Sequence, residues 1–584
     1  MKTLKLIFAS LLVLSFFNAC DQQYIDDISK VEPGEDESAP EITVNFPPEG
    51  YELQTNDAVA SITFDFEVRD DIEIASVSLE LDGVEIASFT DFKDYRVFME
   101  EYTYDEVTTG SHVFTVKATD LEGETSEVNI NFKKSPPYVS EYEGEIFYMP
   151  FNNEYREMNS LSLATVVGNS GFAEGIQGGT AYQGATDSYL TFPASVLEGA
   201  TAVSASFWLK IDASADRAGI LVVSPPADNN NDRTKGFRLF RESSNDGATQ
   251  RFKLNVGTGD SESWFDGGTA ADVEVNTGDW VHLAFSISET YVALYINGEI
   301  VSDGAFDGID WTDCDVISIM SGAPNWTEWN HLSDVGQMDE LRIFNKALTQ
   351  DEIKTIMLKD EASFYMDFDG DYQDAISGID ATVVGSPSIE YGGGISGDAY
   401  KGAADSYLTF SAEDLNIQSD EFSASFWLNI NDAAERAGIL VMGPEDADSP
   451  DAQNDRTSGF RFFRESSNDG TTQRFKLNVG NGTADSWFDG GEAADVTPNT
   501  GEWVHFAFVI NNSEARIFIN GTEVSQGVFD GIDWTGCDLL SIMSGSPRFN
   551  GWGHTSDQSL MDELYLFPQA LTEDEVVLLM NDGL

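Results

Sequence analysis

The chain has 584 residues, 41% of them apolar and 12% aromatic, enough material for roughly three or four domains with cores of their own. Its formal net charge is −71, which sets it against nucleic acid and anionic membrane surfaces as ligands. Such an excess of acid suits a surface solvated in salt water, or one that holds divalent cations.

Residues 1–19 read as a processing segment. Lys2 and Lys5 supply the positive end, and Leu6–Phe17 is an apolar run too short to span a bilayer. Phe17-Asn18-Ala19-Cys20 follows, then polar sequence at once. This resembles a bacterial lipoprotein signal, although that family prefers Leu where Phe17 stands. The resemblance implies cleavage before Cys20 and a lipid anchor on its thiol. Residues 20–38 are an acidic tether, poor in core formers. No later run is apolar enough to cross a membrane.

Residues 39–134 have the pattern of a small β-sandwich. Ile62–Val68 and Val77–Leu81 alternate apolar and polar residues with period two, and Asp82-Gly83 signals a tight hairpin. The ending, His112–Asp120 then Val128–Phe132, resembles the last two strands of the cysteine-free bacterial immunoglobulin-like domains. That implies a spacer. Ser135-Pro136-Pro137 is a stiff linker.

Two long segments, 141–358 and 360–584, repeat each other. Gly236–Val273 and Gly459–Val496 are near-copies, and Trp264 lies as far from Trp487 as His331 does from His554. A period this long means two tandem domains of one fold, not a solenoid. Two copies engaging one polymer gain avidity. Each copy is a run of short strands, among them Tyr189–Phe192, Ala205–Ile211, Phe252–Val256, Trp280–Ser286 and Tyr291–Ile296. Asn297-Gly298 and Asn520-Gly521 signal hairpins. Thr349 with Glu352, and Thr572 with Glu575, form capping boxes that start a terminal helix in each copy. Cys314 and Cys537 are equivalent positions and read as buried thiols.

The series Ser206-Phe207-Trp208-Leu209, Trp280-Val281-His282-Leu283, Leu294-Tyr295-Ile296-Asn297-Gly298 and Met338-Asp339-Glu340-Leu341 resembles the laminin-G-like, concanavalin A-like jelly roll. The second copy carries the same series at Phe426-Trp427-Leu428, Trp503-Val504-His505-Phe506, Phe518-Ile519-Asn520-Gly521 and Met561-Asp562-Glu563-Leu564. The expected fold class is all-β: an N-terminal immunoglobulin-like β-sandwich followed by two concanavalin A-like/laminin-G-like jelly rolls. This layout resembles the surface glycan-binding lipoproteins of Bacteroidota. It implies a non-catalytic protein, lipid-anchored at the outer membrane and exposed at the cell surface, that captures polysaccharide beside a glycan transporter. Two alternatives stand: an adhesin for protein or host matrix, and a glycoside hydrolase with an unrecognised carboxylate pair.

Catalytic patterns are absent from the sequence. Some enzymes on this jelly roll use a Glu-x-Asp-x-x-Glu strand, and Met338-Asp339-Glu340 and Met561-Asp562-Glu563 lack its second glutamate. No Ser-His-Asp signature or zinc motif is present. His282 and His505 sit in core-patterned strands and read as buried.

Sugar rings stack on exposed aromatic rings, so tryptophans in polar loops are the candidate glycan contacts. They are Trp264 and Trp487 in Ser-Trp-Phe-Asp-Gly-Gly, Trp311 and Trp534 in Asp-Gly-Ile-Asp-Trp-Thr, and Trp329 and Trp552 just before His331 and His554, two histidines that join them as candidate glycan contacts. Trp208, Trp280, Trp427 and Trp503 belong to the core. Basic residues crowd one stretch: Arg233, Lys235, Arg238, Arg241, Arg251 and Lys253, matched by Arg456, Arg461, Arg464, Arg474 and Lys476. Arg251 and Lys253 share a strand face opposite Phe252 and Leu254. Arg238, Arg241, Arg461 and Arg464 join the candidate glycan contacts, either as a cationic strip for anionic glycan or as donors for a neutral one. The alternative is pairing with nearby Glu242 and Asp246. The jelly-roll resemblance also implies a structural calcium, with Asp369, Asp371 and Asp562 as ligands. The first copy has Asn152 and Asn153 at the corresponding place.

Overall fold

The computed structural model describes residues 38–135, 137–176, 178–275 and 277–582. The signal segment and Cys20 lie outside these residues, as does all of the tether except Ser38. The chain divides into two compact units between Val139 and Ser140. Among the described residues no helix is long and apolar enough to cross a membrane.

The first unit is a sandwich of a three-stranded sheet (Glu41–Phe46, Val59–Arg69, Val97–Thr108) and a five-stranded one (Tyr51–Leu53, Thr125–Lys134, Gly110–Asp120, Ile74–Leu81, Val84–Phe89). Alternation does what the sequence pattern predicts: Ile62, Phe64, Phe66 and Val68 are buried, with the intervening residues toward solvent. Asp82 and Gly83 turn the hairpin with φ of 53° and 76°, the left-handed region such a turn requires.

The second unit holds both repeats, each a pair of packed antiparallel sheets. In the first repeat the front sheet runs Thr165–Val167, Tyr189–Pro193, Val316–Ile319, Arg217–Ser224, Phe237–Ser244, Thr249–Gly257, Glu262–Asp266. The back sheet runs Gly171–Glu174, Thr180–Gln183, Gln337–Phe344, Val203–Lys210, Trp280–Ile287, Tyr291–Ile296, Glu299–Ala305. The second repeat has the same order in both sheets. Between the sheets lies an apolar core that includes Phe207, Leu221, Phe237, Leu239, Phe252, Leu254, Phe285 and Ile343.

Helix α1 (Gln350–Asp360) opens with the expected capping box at Thr349 and Glu352. It covers the outer side of the back sheet, burying Ile353 and Ile356 against Ala284, Ala293, Tyr295 and Phe344. Helix α2 (Glu573–Asp582) does the same in the second repeat with Val576 and Leu579. The C-terminal end of α1 also serves its neighbour: Leu358 and Ala362 pack with Ala507, Val509, Phe518 and Tyr565 of the second repeat. One helix thus contributes to both repeats.

The histidines predicted to be buried are so. His282 and His505 are enclosed, their Nε2 atoms 2.8 Å from the hydroxyls of Ser206 and Ser425, and burial lowers each to a pKa of about 3. Among the described residues Cys314 and Cys537 are free thiols, Cys537 buried as expected and Cys314 only half-buried, and burial pushes each up to about 12.

Candidate functional site

The front sheet turns one side to the core and the other outward, and the outward side carries the candidate site. Its floor in the first repeat is Val222 and Phe240, capped by Trp326 and His331 from the loop after Val316–Ile319. Trp326 and His331 stack with ring centroids 4.2 Å apart at 13°. His331 Nε2 donates to Glu242 Oε1 at 3.1 Å. That bond, with Lys253 and Arg217 beyond it, pulls the Glu242 carboxyl down to about 2 against the cost of burial. Burial itself lowers His331, so its ring is neutral.

On this floor stand two tryptophans. Trp264, at the edge strand, meets Phe240 edge-on at 5.9 Å, and Trp329 comes over from the loop. Their rings are nearly parallel, 16° apart with centroids separated by 6.2 Å. Arg233 lies over both, its guanidinium carbon 4.4 Å from the Trp329 centroid and 5.9 Å from that of Trp264. The second repeat reproduces the group with Trp487, Trp552 and Arg456: rings 16° apart, centroids at 5.7 Å, guanidinium at 4.5 and 5.6 Å. All four rings remain open to solvent, with 40%, 39%, 43% and 43% of Trp264, Trp329, Trp487 and Trp552 exposed. A cation over an indole face is worth about 0.5–1 kcal/mol at an exposed site. Both arginines are charge-paired, Arg233 Nε to Glu262 at 2.7 Å and Arg456 Nε to Asp485 at 3.0 Å.

The other candidate residues are placed differently. Arg238, Arg241, Arg461 and Arg464 have no exposed surface and cannot touch a ligand, which corrects the expectation that they do. Arg238, on the outward side with Phe240, is roofed by the loop around residues 232–236, whereas Arg241, opposite Phe252 on the inward side, is closed off by the segments at 212–215 and 334. Arg238 donates to the carbonyls of Asp232, at 2.6 Å, and Lys235. Arg241 binds Asp334 at 2.5 Å and the carbonyls of Ala215 and Asp212 at 3.1 and 2.7 Å. Arg461 holds the carbonyls of Ser458 and Asp455, and Arg464 the Asp557 carboxylate with the Ala434 carbonyl. These are loop clamps.

His331 and His554 are likewise fully buried and act as props beneath the rings, so direct glycan contact is corrected for them too. Trp311 and Trp534 pack on the core, and their Nε1–H groups donate to the carbonyls of Ala200 and Ser419 at 2.7 and 2.8 Å. Their loop covers the end of the sandwich and belongs to no exposed platform. Arg233 and Arg456 belong to the crowd of basic residues, and nothing in the sequence singles out their contact with the rings. In the fold they are distinguished by position, since they precede the first clamped strand in an otherwise polar loop.

The remaining cations of the outward side are paired as well. Arg251 binds Asp272 at 2.6 Å, and Lys253 binds Glu242 and Asp266 at 2.9 and 3.2 Å. Arg474 and Lys476 repeat this with Asp495, Glu465 and Asp489.

The expected calcium ligands do not gather. Asp369 accepts from the Asp398 amide at 2.6 Å and Asp371 from that of Gln373 at 2.9 Å. Asp562 takes the amides of Ile395, Ser396 and Glu563 at 2.7, 3.1 and 2.9 Å. Burial, then the neighbouring Glu563 charge, raises Asp562 to about 8. Among the described residues no group of three His, Cys, Asp or Glu side chains is placed to hold a metal. Asp339 and Glu340, the equivalent pair, are buried on the back sheet, where Asp339 accepts from the Ile176 amide at 2.9 Å.

A laminin G-type family model, described as the concanavalin A-like lectin/glucanases superfamily, matches residues 184–354 and again 401–577, well over half of the chain. The chain belongs to this superfamily. As a concanavalin A-like protein it resembles several solved structures. Domain 4 of AbnA, a GH43 extracellular arabinanase from Geobacillus stearothermophilus in complex with arabinotriose, matches at 19% identity over 38% of this chain and 98% of that one, with a TM-score of 0.29. Domains LG4-5 of the mouse laminin α1 chain match at 10% identity over 66% of this chain and 88% of that one, TM-score 0.21. A heptameric SAP-like pentraxin from Limulus polyphemus matches at 17% identity over 27% and 70%, TM-score 0.20. No curated relative matches the concanavalin A-like chain.

Proposed function

We propose that this protein is a non-catalytic glycan-binding lipoprotein of the cell surface. It would be anchored through Cys20 at the outer membrane, with the acidic tether and an immunoglobulin-like spacer carrying two jelly rolls that capture polysaccharide beside a transporter. The observation that carries the reading is the pair of parallel, exposed tryptophans spanned by a charge-paired arginine, present in both repeats. Exposed indole rings on a built floor of Phe240 or Phe463 offer apolar surface of the kind that the faces of sugar rings cover. Because each nearby cation already has a partner, the platform suits a neutral glycan better than a uronic or sulfated one. Superfamily membership supports binding of carbohydrate as a class.

The test is affinity electrophoresis of the protein through gels containing neutral or anionic polysaccharides. Retardation by a neutral polymer is expected. It should weaken in Trp329→Ala and in Trp552→Ala, and be nearly lost in the double variant, since two linked sites can exceed either alone by about 10²–10⁴-fold. A correctly folded protein that no polysaccharide retards would overturn the reading and leave the adhesin alternative.

A further inference from the structure

Beside the platform of the second repeat lies a depression of about 340 Å³, lined chiefly by Asp405, Glu435, Arg436, Gly553, Thr555 and Gln558. It adjoins the platform directly. Gly553 and Thr555 continue the loop that carries Trp552, and the Arg436 guanidinium donates to the Trp552 carbonyl at 3.2 Å. Arg436 also faces Glu465 at 3.4 Å, the carboxylate that holds His554 beneath the rings. The volume is near the lower end of the roughly 300–1,000 Å³ typical of small-molecule sites.

The two repeats part company here. They agree at both tryptophans, the stacked arginine and its acidic partner. Where the second repeat has Thr555 and Gln558, the first has Leu332 and Val335, and Leu332 is 42% exposed. The substitutions turn an apolar lip into a polar wall and leave the platform unchanged.

We propose that this depression is a second sugar subsite, special to the second repeat, that takes a single-sugar branch of a neutral polysaccharide whose backbone lies on the Trp487–Trp552 platform. The inference rests on the glycan-binding reading above. Asp405 and Glu435 offer carboxylate acceptors to sugar hydroxyls, and such charge-assisted bonds are about twice as strong as neutral ones. Arg436, Thr555 and Gln558 supply donors. Two carboxylates against one guanidinium leave the lining net acidic, which disfavours a uronic acid branch. A shallow depression of about 340 Å³ has room for little more than one ring, whereas the open platform suits a chain.

The experiment uses the full protein and pairs of polymers that share a backbone: linear mannan with galactomannan, debranched with branched arabinan, and cello-oligosaccharide with xyloglucan. The branched member of a bound pair is expected to bind about tenfold tighter. Thr555→Leu with Gln558→Val, which installs the first repeat's own residues, should abolish that preference and leave affinity for the linear member unchanged. Leu332→Thr with Val335→Gln should strengthen branched binding further. Equal binding of branched and linear members, or a preference that survives T555L/Q558V, overturns the subsite and leaves the platform standing. Failure of every polymer to bind overturns both.

Discussion

Lys359 reaches Asp582 across the joint between the two jelly rolls, its ammonium 3.0 Å from a carboxylate in the last turn of α2. Glu141 approaches the same nitrogen at 2.8 Å, and the rings of Tyr142, Tyr565 and Tyr365 surround it at 5.1, 5.5 and 6.0 Å. Lys359 is only 8% exposed, and it follows Leu358, which sits in the apolar cluster of the second repeat. The joint is therefore packed.

Its first consequence is cooperative unfolding. The two repeats should melt together in calorimetry as one transition. Lys359→Met keeps the stem but leaves Glu141 and Asp582 facing each other without a cation. Breaking a buried pair costs about 3–5 kcal/mol, and partial solvation of both carboxylates brings this joint toward the lower end. The variant should melt at lower temperature, with the single transition split in two. An unchanged single transition would show that the joint does not couple the repeats.

The arginine on the platform acts through its plane. Lysine cannot stack a planar fork on an indole or hold Glu262 in the same geometry. Arg233→Lys with Arg456→Lys should leave the melting temperature nearly unchanged and weaken polysaccharide binding on the order of tenfold, with a weaker indole exciton band in far-UV circular dichroism. Retained affinity in this double variant would reduce the arginines to bystanders.

The buried clamps should matter for stability first. Arg241 and Asp334 form an ion pair with no exposed surface on either side. Arg241→Met leaves Asp334 buried without its cation and should cost about 3–5 kcal/mol in denaturant titration. Adding Asp334→Leu should recover part of that loss, because no lone charge then remains. A surface role for Arg241 would instead leave stability intact and change binding alone.

Acid sensitivity follows from the histidines. His282 and His505 have folded pKa values near 3 against 6.5 for an open histidine, so their contribution is complete above pH 6.5 and drains away as the pH falls toward 3. Each contributes a slope of about 1.4 kcal/mol per pH unit in that window. Asp562 and Glu563 act in the opposite sense. Their folded values are raised to about 8 and about 7, so their contribution is complete below pH 4 and is lost as the pH rises through neutrality. Comparing the parent with His282→Gln/His505→Gln isolates the first effect. Between pH 6 and 4 the variant's stability should fall less steeply, by about 2.7 kcal/mol per unit. Parallel curves would place these rings in water.

Much of this architecture is legible before any coordinates. The duplication shows directly, the Asn-Gly hairpins and capping boxes name their own geometry, and period two separates Phe252 and Leu254 from Arg251 and Lys253. Trp264 and Trp329 stand out as costly rings in polar loops. The arginine roles are not legible in the same way. Alternation puts Arg238 on the outward side of its strand, but only the folded loop around 232–236 shows that this part is roofed. Trp311 is as polar in its surroundings as Trp329, and what separates them is a carbonyl at Ala200, far away in sequence. Arg233 finds its role only because a strand and a distant loop bring two indoles together.

Both repeats fasten their loops mainly by main-chain carbonyls, which every residue type possesses. Arg238 and Arg461 hold their loops through the carbonyls of Asp232, Lys235, Asp455 and Ser458, whatever side chains those residues carry. A gene copy built this way can rewrite its lips while its foundations stay fixed. The present pair has done so already, with Trp326 against Phe549, Leu332 against Thr555, and a longer acidic loop at 445–454 where the first copy has 226–231. For an engineer, those loops are the place to graft a new preference. For natural history, they are where the two copies of one module have diverged.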